Sequence, residues 1–235
     1  MSYLSTSVRE NMASLQKRID YKFEDINILG EALTHSSYAN ECKKEKVKYN
    51  ERLEFLGDSV LGLVVSKYIF IRYGNLPEGE LTKVRANVVC EQSLAIQARR
   101  IELGKYLLLG KGEELTGGRQ RDSILADALE ALIGAIYIDG GIEKAQNFIL
   151  ACFLDSIKLA SRGALFRDYK TQLQEILQSK SLEKITYRVI HEYGPDHDKV
   201  FDVEVLIGNK VIGRGRGKSK KEAEQRAARE AIMKG

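Results

Sequence analysis

The spacing of apolar residues changes once along this chain of 235 residues, and the change divides the chain into two parts. From about residue 9 to residue 155, apolar side chains recur mostly at the three- to four-residue spacing of amphipathic helices. After a short segment, Ser161–Ala164 (SRGA), one helical stretch is followed by alternation of apolar and polar residues. The pattern predicts a multidomain chain: an all-α domain over 1–160, a linker over 161–166 and a small α+β (α-β-β-β-α) domain over 167–235.

Within the first domain, the most apolar stretch is Val60–Ile71, which Lys67 interrupts. It is too short to span a bilayer, so we expect a buried helix. The glycine-rich segment Gly110–Gly118 is expected to be a loop. The helices expected in this domain are Leu4–Tyr21, one or two within Glu24–Ala39, Glu51–Tyr73, Glu78–Val88, Gln92–Ile101, Ser123–Ile138 and Ile142–Ala160.

The second domain shows both helical and strand periodicity. Turn signals at Gly194-Pro195 and Gly208-Asn209 separate three alternating stretches. The expected order is helix Tyr169–Ser179, strands Thr186–Glu192, Val200–Ile207 and Val211–Gly215, and helix Lys220–Lys234.

Charge is distributed unevenly between the two parts. The formal net charge of the chain is +4, but residues 1–161 carry 21 Lys and Arg against 22 Asp and Glu, whereas residues 162–235 carry 16 against 11. All of the excess positive charge therefore lies in the C-terminal third, which indicates a polyanionic partner for that part.

Cysteine usage and the N-terminus bear on the compartment. The three cysteines, Cys42, Cys90 and Cys152, are odd in number and far apart, which indicates neither a disulfide framework nor a cysteine zinc site. Residues 1–12 are polar and lack the apolar core of a signal peptide. We therefore expect a cytoplasmic protein with reduced thiols and no association with a membrane.

Five carboxylates stand on helix faces with apolar neighbours. Glu51, Glu54 and Asp58 are three and seven residues apart on one expected helix, and Asp127 and Glu130 are three apart on another. If the two faces converge, they form an oxygen-only site that favours Mg²⁺ or Mn²⁺ over zinc, and Mg²⁺ held by carboxylates and water is commonly used for phosphodiester hydrolysis. The spacing alone is equally compatible with two amphipathic helices whose acids face solvent.

Two acidic segments, Asn50–Leu61 (NERLEFLGDSVL) and Asp127–Gly141 (DALEALIGAIYIDGG), have a distinctive sequence. The first resembles the signature of the bacterial ribonuclease III family, and the second resembles the second acidic motif of that family. Leu33–Glu41 (LTHSSYANE) and Leu109–Leu115 (LGKGEEL) occur in the expected order. The C-terminal part is similar to the double-stranded RNA-binding domain, through DYKTQLQE at Asp168–Glu175, GPDH at Gly194–His197 and KSKKEAEQRAA at Lys218–Ala228.

This resemblance implies a homodimeric endonuclease that cuts both strands of double-stranded RNA. Hydrolysis by water bound to Mg²⁺, for which Mn²⁺ substitutes, would leave 5′-phosphate and 3′-hydroxyl ends with short 3′ overhangs. The implied metal ligands are Glu54, Asp58, Asp127 and Glu130, with Asp58 and Glu130 the most rate-critical, and Glu51 and Glu78 are accessory acids. Phe55 matches a residue that inserts into the partner subunit, although its spacing equally fits a core phenylalanine.

The resemblance also implies RNA contacts in the second domain. A protein recognises duplex RNA through its shape, 2′-hydroxyls and phosphates. The residues expected to make these contacts are Thr171, Gln174 and Glu175 on one helix face, Gly194, Pro195 and His197 in a turn, and Lys218, Ser219, Lys220 and Lys221 at a helix start. The turn would otherwise be a simple hairpin connection, and the lysines a solvated charge run.

The start of the last helix carries a local conflict. Ser219 and Glu222 have capping-box spacing, which places Lys220 and Lys221 in the first turn, where the helix dipole disfavours cations. Phosphate bound at this helix N-terminus would resolve the conflict. The run Gly213–Lys221 (GRGRGKSKK) holds five cations, which favours phosphate binding.

Two other functions would each use only part of these features. A non-catalytic double-stranded RNA-binding protein would keep the basic domain but would not need the four acids. A hydrolase of smaller phosphate esters would not need the basic domain. Ribosomal RNA precursor processing and messenger RNA processing or decay are the cellular roles that the resemblance implies.

Overall fold

The chain divides into two compact units, Met1–Leu165 and Phe166–Gly235. The structure is a computed structural model that describes residues 6–42, 47–163, 165, 169–178, 184–195 and 199–234. Among these residues, no helix is both long and apolar enough to cross a membrane.

The first unit is built from helices. Its α-helices are α1 (Thr6–Arg18), α2 (Ile26–Ala32), α3 (Ser36–Glu41), α4 (Glu51–Arg72), α5 (Glu78–Val88), α6 (Glu91–Arg100), α7 (Lys111–Leu115) and α8 (Asp122–Ala160), with 3₁₀ turns at Leu103–Tyr106 and Gly118–Gln120. Most follow the expected ranges within two or three residues. Helix α8 is one element with a break at Gly141, whose φ of +78° lies in the left-handed region that glycine tolerates.

The core of this unit lies where α4 packs against α8. Gly57 of α4 and Gly134 of α8 form the closest approach, and a Cβ atom on either glycine would overlap backbone of the other helix. Around them, side chains such as Leu61, Leu129 and Ile133 are fully buried. Because neither glycine has a side chain, the two helix backbones come close enough for neighbouring polar side chains to meet.

Two expectations for this unit are wrong. Gly110–Gly118 is not a loop throughout, because Lys111–Leu115 forms helix α7. Helix α7 is stabilised by favourable acids in its first turn, Glu113 and Glu114, which pair with Arg121 and Arg119. The apolar stretch of α4 is not buried on all sides either, because Leu63, Phe70 and Ile71 are 60%, 71% and 71% exposed.

Two motifs of the first unit, Leu33–Glu41 and Leu109–Leu115, contact each other. The backbone of Leu108 donates to Leu33 O and accepts from His35 N. The Ser37 hydroxyl accepts a hydrogen bond from the Gly110 backbone N–H at 2.9 Å. These contacts hold the start of α7 against α3.

The second unit is a three-stranded sheet with two helices. It contains α9 (Tyr169–Gln178), β1 (Ile185–Tyr193), β2 (Val200–Ile207), β3 (Lys210–Gly217) and α10 (Lys220–Lys234). The strands are antiparallel in the order β1-β2-β3. Together with the helical first unit, this order confirms the predicted fold class.

Glycine and arginine alternate along β3 for two different reasons. Gly213, Gly215 and Gly217 face α10, where a Cβ atom would overlap the helix backbone. The arginines between them point to the opposite face, where Arg214 pairs with Glu204 and Arg216 with Asp202. The glycines therefore allow the helix to pack closely on the sheet, and the arginines stabilise its outer face.

Candidate metal centre and RNA-binding surface

Carboxylates from two packed helices converge beside the α4–α8 contact. One oxygen from each of Glu54, Asp127 and Glu130 lies within 4.8 Å of the other two, and all three residues are half-buried. Glu54 is in the first turn of α4, and Asp127 and Glu130 are about one turn apart on α8. The two acidic faces expected from the sequence therefore meet at these three side chains.

Burial and mutual repulsion favour the protonated forms of two of these acids. Burial raises the pKa of Glu130 to about 8, and the charges of Asp58, Glu54 and Asp127 add to the rise. Burial also raises the pKa of Glu54, with further contributions from Asp127, Glu51 and Asp58. The fold thus holds these carboxylates close together although their charges repel.

Asp58 lies beside this group and is exposed. It is not among the three mutually close carboxylates that the described residues provide. Its charge nevertheless raises the pKa of both Glu54 and Glu130, so Asp58 and Glu130 lie on the same side of the fold.

The two accessory acids occupy different places. Glu51 is exposed in the first turn of α4, close enough for its charge to raise the pKa of Glu54. Glu78 is exposed in the first turn of α5, where its carboxylate accepts a hydrogen bond from the Thr82 hydroxyl at 2.9 Å. Glu78 is not part of the group of three carboxylates.

Two further side chains, Glu91 and His35, influence the pKa of Asp127, and nothing in the sequence pointed to Glu91. Burial raises the pKa of Asp127, and the charge of Glu91 adds to the rise, whereas His35 acts in the opposite direction. Glu91 is in the first turn of α6, where an acid is ordinary for a helix start. His35 caps α3 by accepting a hydrogen bond from the Ser37 backbone N–H.

The group of three acids fits a divalent cation with oxygen ligands. Its three donors are carboxylates, without cysteine or histidine. Carboxylate-only sites favour Mg²⁺ and Mn²⁺. A cation between the side chains would also relieve the repulsion that raises the pKa values of Glu54 and Glu130.

Phe55 lies next to these acids but points outward. Its side chain is 78% exposed, so the alternative of a core phenylalanine is wrong within this unit. Leu63 and Phe70 are exposed further along α4, about two and four helical turns away. A groove of about 400 Å³ between α4 and α5 is lined by Leu63, Phe70 and Leu81, with Glu78 among its polar neighbours.

The expected RNA-contact residues of α9 and the β1–β2 turn are only partly within the described residues. Thr171 and Gln174 are exposed on α9, and the side chain of Glu175 lies outside what the structure describes. Gly194 has a φ of +102°, and Pro195 follows it at the surface. His197 lies outside the described residues.

The start of α10 has the expected cap. The Ser219 hydroxyl accepts from the Glu222 backbone N–H, and the Glu222 carboxylate accepts from the Lys218 backbone N–H at 2.8 Å. Lys218, Lys220 and Lys221 are all exposed there. Only part of the cationic run lies at this helix start, because Arg214 and Arg216 are paired with carboxylates on the opposite face of the sheet.

These two units define a class of protein: a helical nuclease domain joined to a module that binds double-stranded RNA. Residues 25–157 match the model of the Ribonuclease-III-like family, and residues 169–234 match the Double-stranded RNA binding motif. The nuclease domain of ribonuclease III from Campylobacter jejuni is 43% identical, with a TM-score of 0.57 over 61% of this chain and 96% of that one.

Two full-length relatives match nearly the whole chain. Ribonuclease 3 of Caldanaerobacter subterraneus subsp. tengcongensis is 57% identical over 94% of this chain and 96% of its own. Ribonuclease 3 of Clostridium tetani is 53% identical over 94% of each chain. The chain belongs to the ribonuclease III family. It is an endoribonuclease acting on double-stranded RNA, which excludes the two other functions weighed above.

Proposed function

We propose that this endoribonuclease hydrolyses both strands of duplex RNA with the help of Mg²⁺, for which Mn²⁺ substitutes. The products would carry 5′-phosphate and 3′-hydroxyl ends with short 3′ overhangs. Substrates would include ribosomal RNA precursors and messenger RNAs, encountered in the cytoplasm. The observation that carries the proposal is the convergence of Glu54, Asp127 and Glu130 within 4.8 Å.

The acids of the first unit would hold the metal, with Asp58 joining the group of three. When bound, Mg²⁺ supplies an activated water and neutralises charge on the leaving 3′ oxygen. Glu54 and Asp127 would fix the position of the ion from two separate helices. Burial raises the pKa of Glu130 to about 8, more than it raises the pKa of Glu54 or Asp127. Glu130 would therefore lose its proton when the cation binds.

The direct test is incubation with a perfect RNA duplex in Mg²⁺ and in chelator. We expect cutting only with Mg²⁺ or Mn²⁺, because four carboxylates repel a phosphate unless a divalent cation lies between them. Single-stranded RNA and a DNA duplex of the same sequence serve as controls. Equal cutting in chelator would show that the acids do not act through a metal.

The second unit would bind the duplex through α9, the β1–β2 turn and the start of α10. Thr171, Gln174 and Glu175 would contact 2′-hydroxyls, and Gly194, Pro195 and His197 would enter a further minor groove. Lys218, Ser219, Lys220 and Lys221 would bind phosphate at the N-terminus of α10. The exposure of the three lysines supports this proposal.

Changing Lys220 and Lys221 together to alanine tests the phosphate contacts. We expect roughly tenfold weaker duplex binding, and a plot of log affinity against log salt whose slope is smaller by about 2, since each lysine would displace about one counterion. The measurement is a titration of labelled duplex at several salt concentrations. The matched control is Lys210→Ala with Lys234→Ala, which removes the same charge from the start of β3 and the end of α10. An unchanged slope in the first variant would remove these lysines from the interface.

We also propose that the first unit pairs with a second copy through the exposed apolar face of α4. An exposed aromatic beside an apolar groove is unfavourable in water unless a partner covers it. The related nuclease domain from C. jejuni has a structurally flexible region that is involved in dimer formation. Phe55 would insert into the partner subunit.

Phe55→Ala should weaken this association at least tenfold, because truncating a buried aromatic anchor at an interface costs about 2 kcal/mol or more. Sedimentation velocity over a concentration series measures the shift toward monomer. Leu115→Ala is the control, since Leu115 is more exposed than Phe55 but lies on α7. A parent chain that stays monomeric at all concentrations would contradict the proposal itself.

A further inference from the structure

Glu192 lies between two lysines at the edge of the proposed RNA surface. Its carboxylate is 3.1 Å from Lys199 Nζ and 3.8 Å from Lys220 Nζ. Glu192 is opposite Phe201 in the β1–β2 pairing, so both side chains lie on the same face of the sheet. Phe201 is buried in the core of this unit, and Lys220 Nζ lies 5.6 Å from its ring. Glu192 therefore faces the start of α10.

We propose that Glu192 limits the affinity of this module for duplex RNA by competing with phosphate for Lys220. This inference rests on the proposed phosphate contact of Lys220 and adds an opposing group to it. Lys199, which directly precedes β2, shares the same carboxylate. One acid thus pairs with two cations, one of them at the start of α10.

The geometry favours competition over rigid support. At 3.8 Å the Glu192–Lys220 pair is longer than a hydrogen bond, and both side chains are substantially exposed. An exposed pair of this kind orders its members weakly. The negative charge, however, remains close to any phosphate that approaches Lys220, and repulsion across a few ångströms persists even in water. The net effect of the carboxylate on RNA binding should therefore be unfavourable.

Glu192→Gln is the test, because it removes the charge and keeps the shape. We expect duplex binding about three- to tenfold tighter at moderate salt, and a steeper salt dependence, since Lys220 would now pair with phosphate alone. The measurement is the same duplex titration over a salt series, made with the full chain and without divalent metal so that no cutting occurs.

Asp202→Asn is the matched control. Like Glu192→Gln, it removes one carboxylate charge and releases one cation, here Arg216 on the neighbouring strand. This ion pair, however, lies on the outer face of the sheet. We expect its effect on RNA binding to be much smaller. An equal gain in both variants would mean that only the net charge of the module matters, and would overturn the proposal.

A double-mutant comparison separates this inference from the proposed function. If Glu192 acts through Lys220, Glu192→Gln should give little gain in a Lys220→Ala background. A Lys220→Ala variant that binds RNA like the parent would refute the phosphate contact itself. If Lys220→Ala weakens RNA binding as expected but Glu192→Gln leaves the affinity unchanged or lower, only the proposed competition is refuted.

Discussion

Replacing Glu130 by alanine should abolish cutting of duplex RNA while leaving binding of the duplex within about twofold of the parent. Glu130 lies against Glu54 and Asp127, so its loss removes one of the few ligands that a cation could use there. Loss of a metal ligand should slow the cleavage step by roughly a thousandfold or more. The RNA contacts are expected in the second unit and should not change. Single-turnover cleavage and a binding titration in Ca²⁺ or chelator give the two readings.

Glu130→Gln shows whether a variant at this position is inactive because it lacks the metal ligand or because it is less stable. The pKa of Glu130 is about 8 in the folded chain, against an ordinary value of 4.5, so the folded state binds the extra proton between these pH values. Stability contributed at this position is therefore present below pH 4.5 and falls as the pH rises toward 8. At pH 8 without divalent metal, Glu130→Gln should be more stable than the parent by about 2 kcal/mol, after a reduction for solvent screening. An inactive variant that is also less stable at pH 8 would contradict this account.

Gly57→Ala should destabilise the first unit by about 3 kcal/mol or more. A methyl group at Gly57 would overlap the carbonyl oxygen of Glu130, and backbone cannot move aside as a flexible side chain can. Helices α4 and α8 would have to separate, and Glu54 would move away from Asp127 and Glu130. Cutting should therefore fall together with stability, and added Mg²⁺ should restore less of the stability than it does in the parent.

Gly62→Ala on the same helix is the control for Gly57→Ala. A Cβ atom at Gly62 meets nothing within 4 Å, so only the helix propensity changes. That change favours alanine by about 1 kcal/mol. Thermal or urea unfolding of both variants, with and without Mg²⁺, makes the comparison. Similar stabilities for the two variants would show that the α4–α8 contact tolerates separation.

The sequence predicted those parts of the fold in which periodicity and capping agree. The bounds of α5, β2 and α10 match the expected ranges, and Ser219 caps α10 as its spacing indicated. Helix α7 was missed because Gly112 lies inside it and further glycines precede and follow it, while its stability comes from ion pairs with Arg119 and Arg121. Those partners are several residues away in the sequence, so local composition alone gave the wrong answer.

The candidate site was accessible from the sequence only in part. The three-residue spacing of Asp127 and Glu130 placed them on one helix face, but the meeting of this face with Glu54 depends on how α8 packs against α4. Nothing in the spacing around Glu91 distinguishes it from an ordinary acid at a helix start, although it lies near Asp127. The exposure of Phe55 was also open, because helical periodicity does not tell an outward apolar face from a core face.

The alternation of glycine and arginine on β3 also limits how this module can vary in length. Moving the strand by one position would turn Arg214 and Arg216 toward α10, where only hydrogen atoms fit, and would break their ion pairs with Glu204 and Asp202. A single-residue insertion or deletion at Gly208-Asn209 should therefore be far more harmful than one of two residues. The alternating sequence of β3 therefore disfavours pairing in a shifted register during folding.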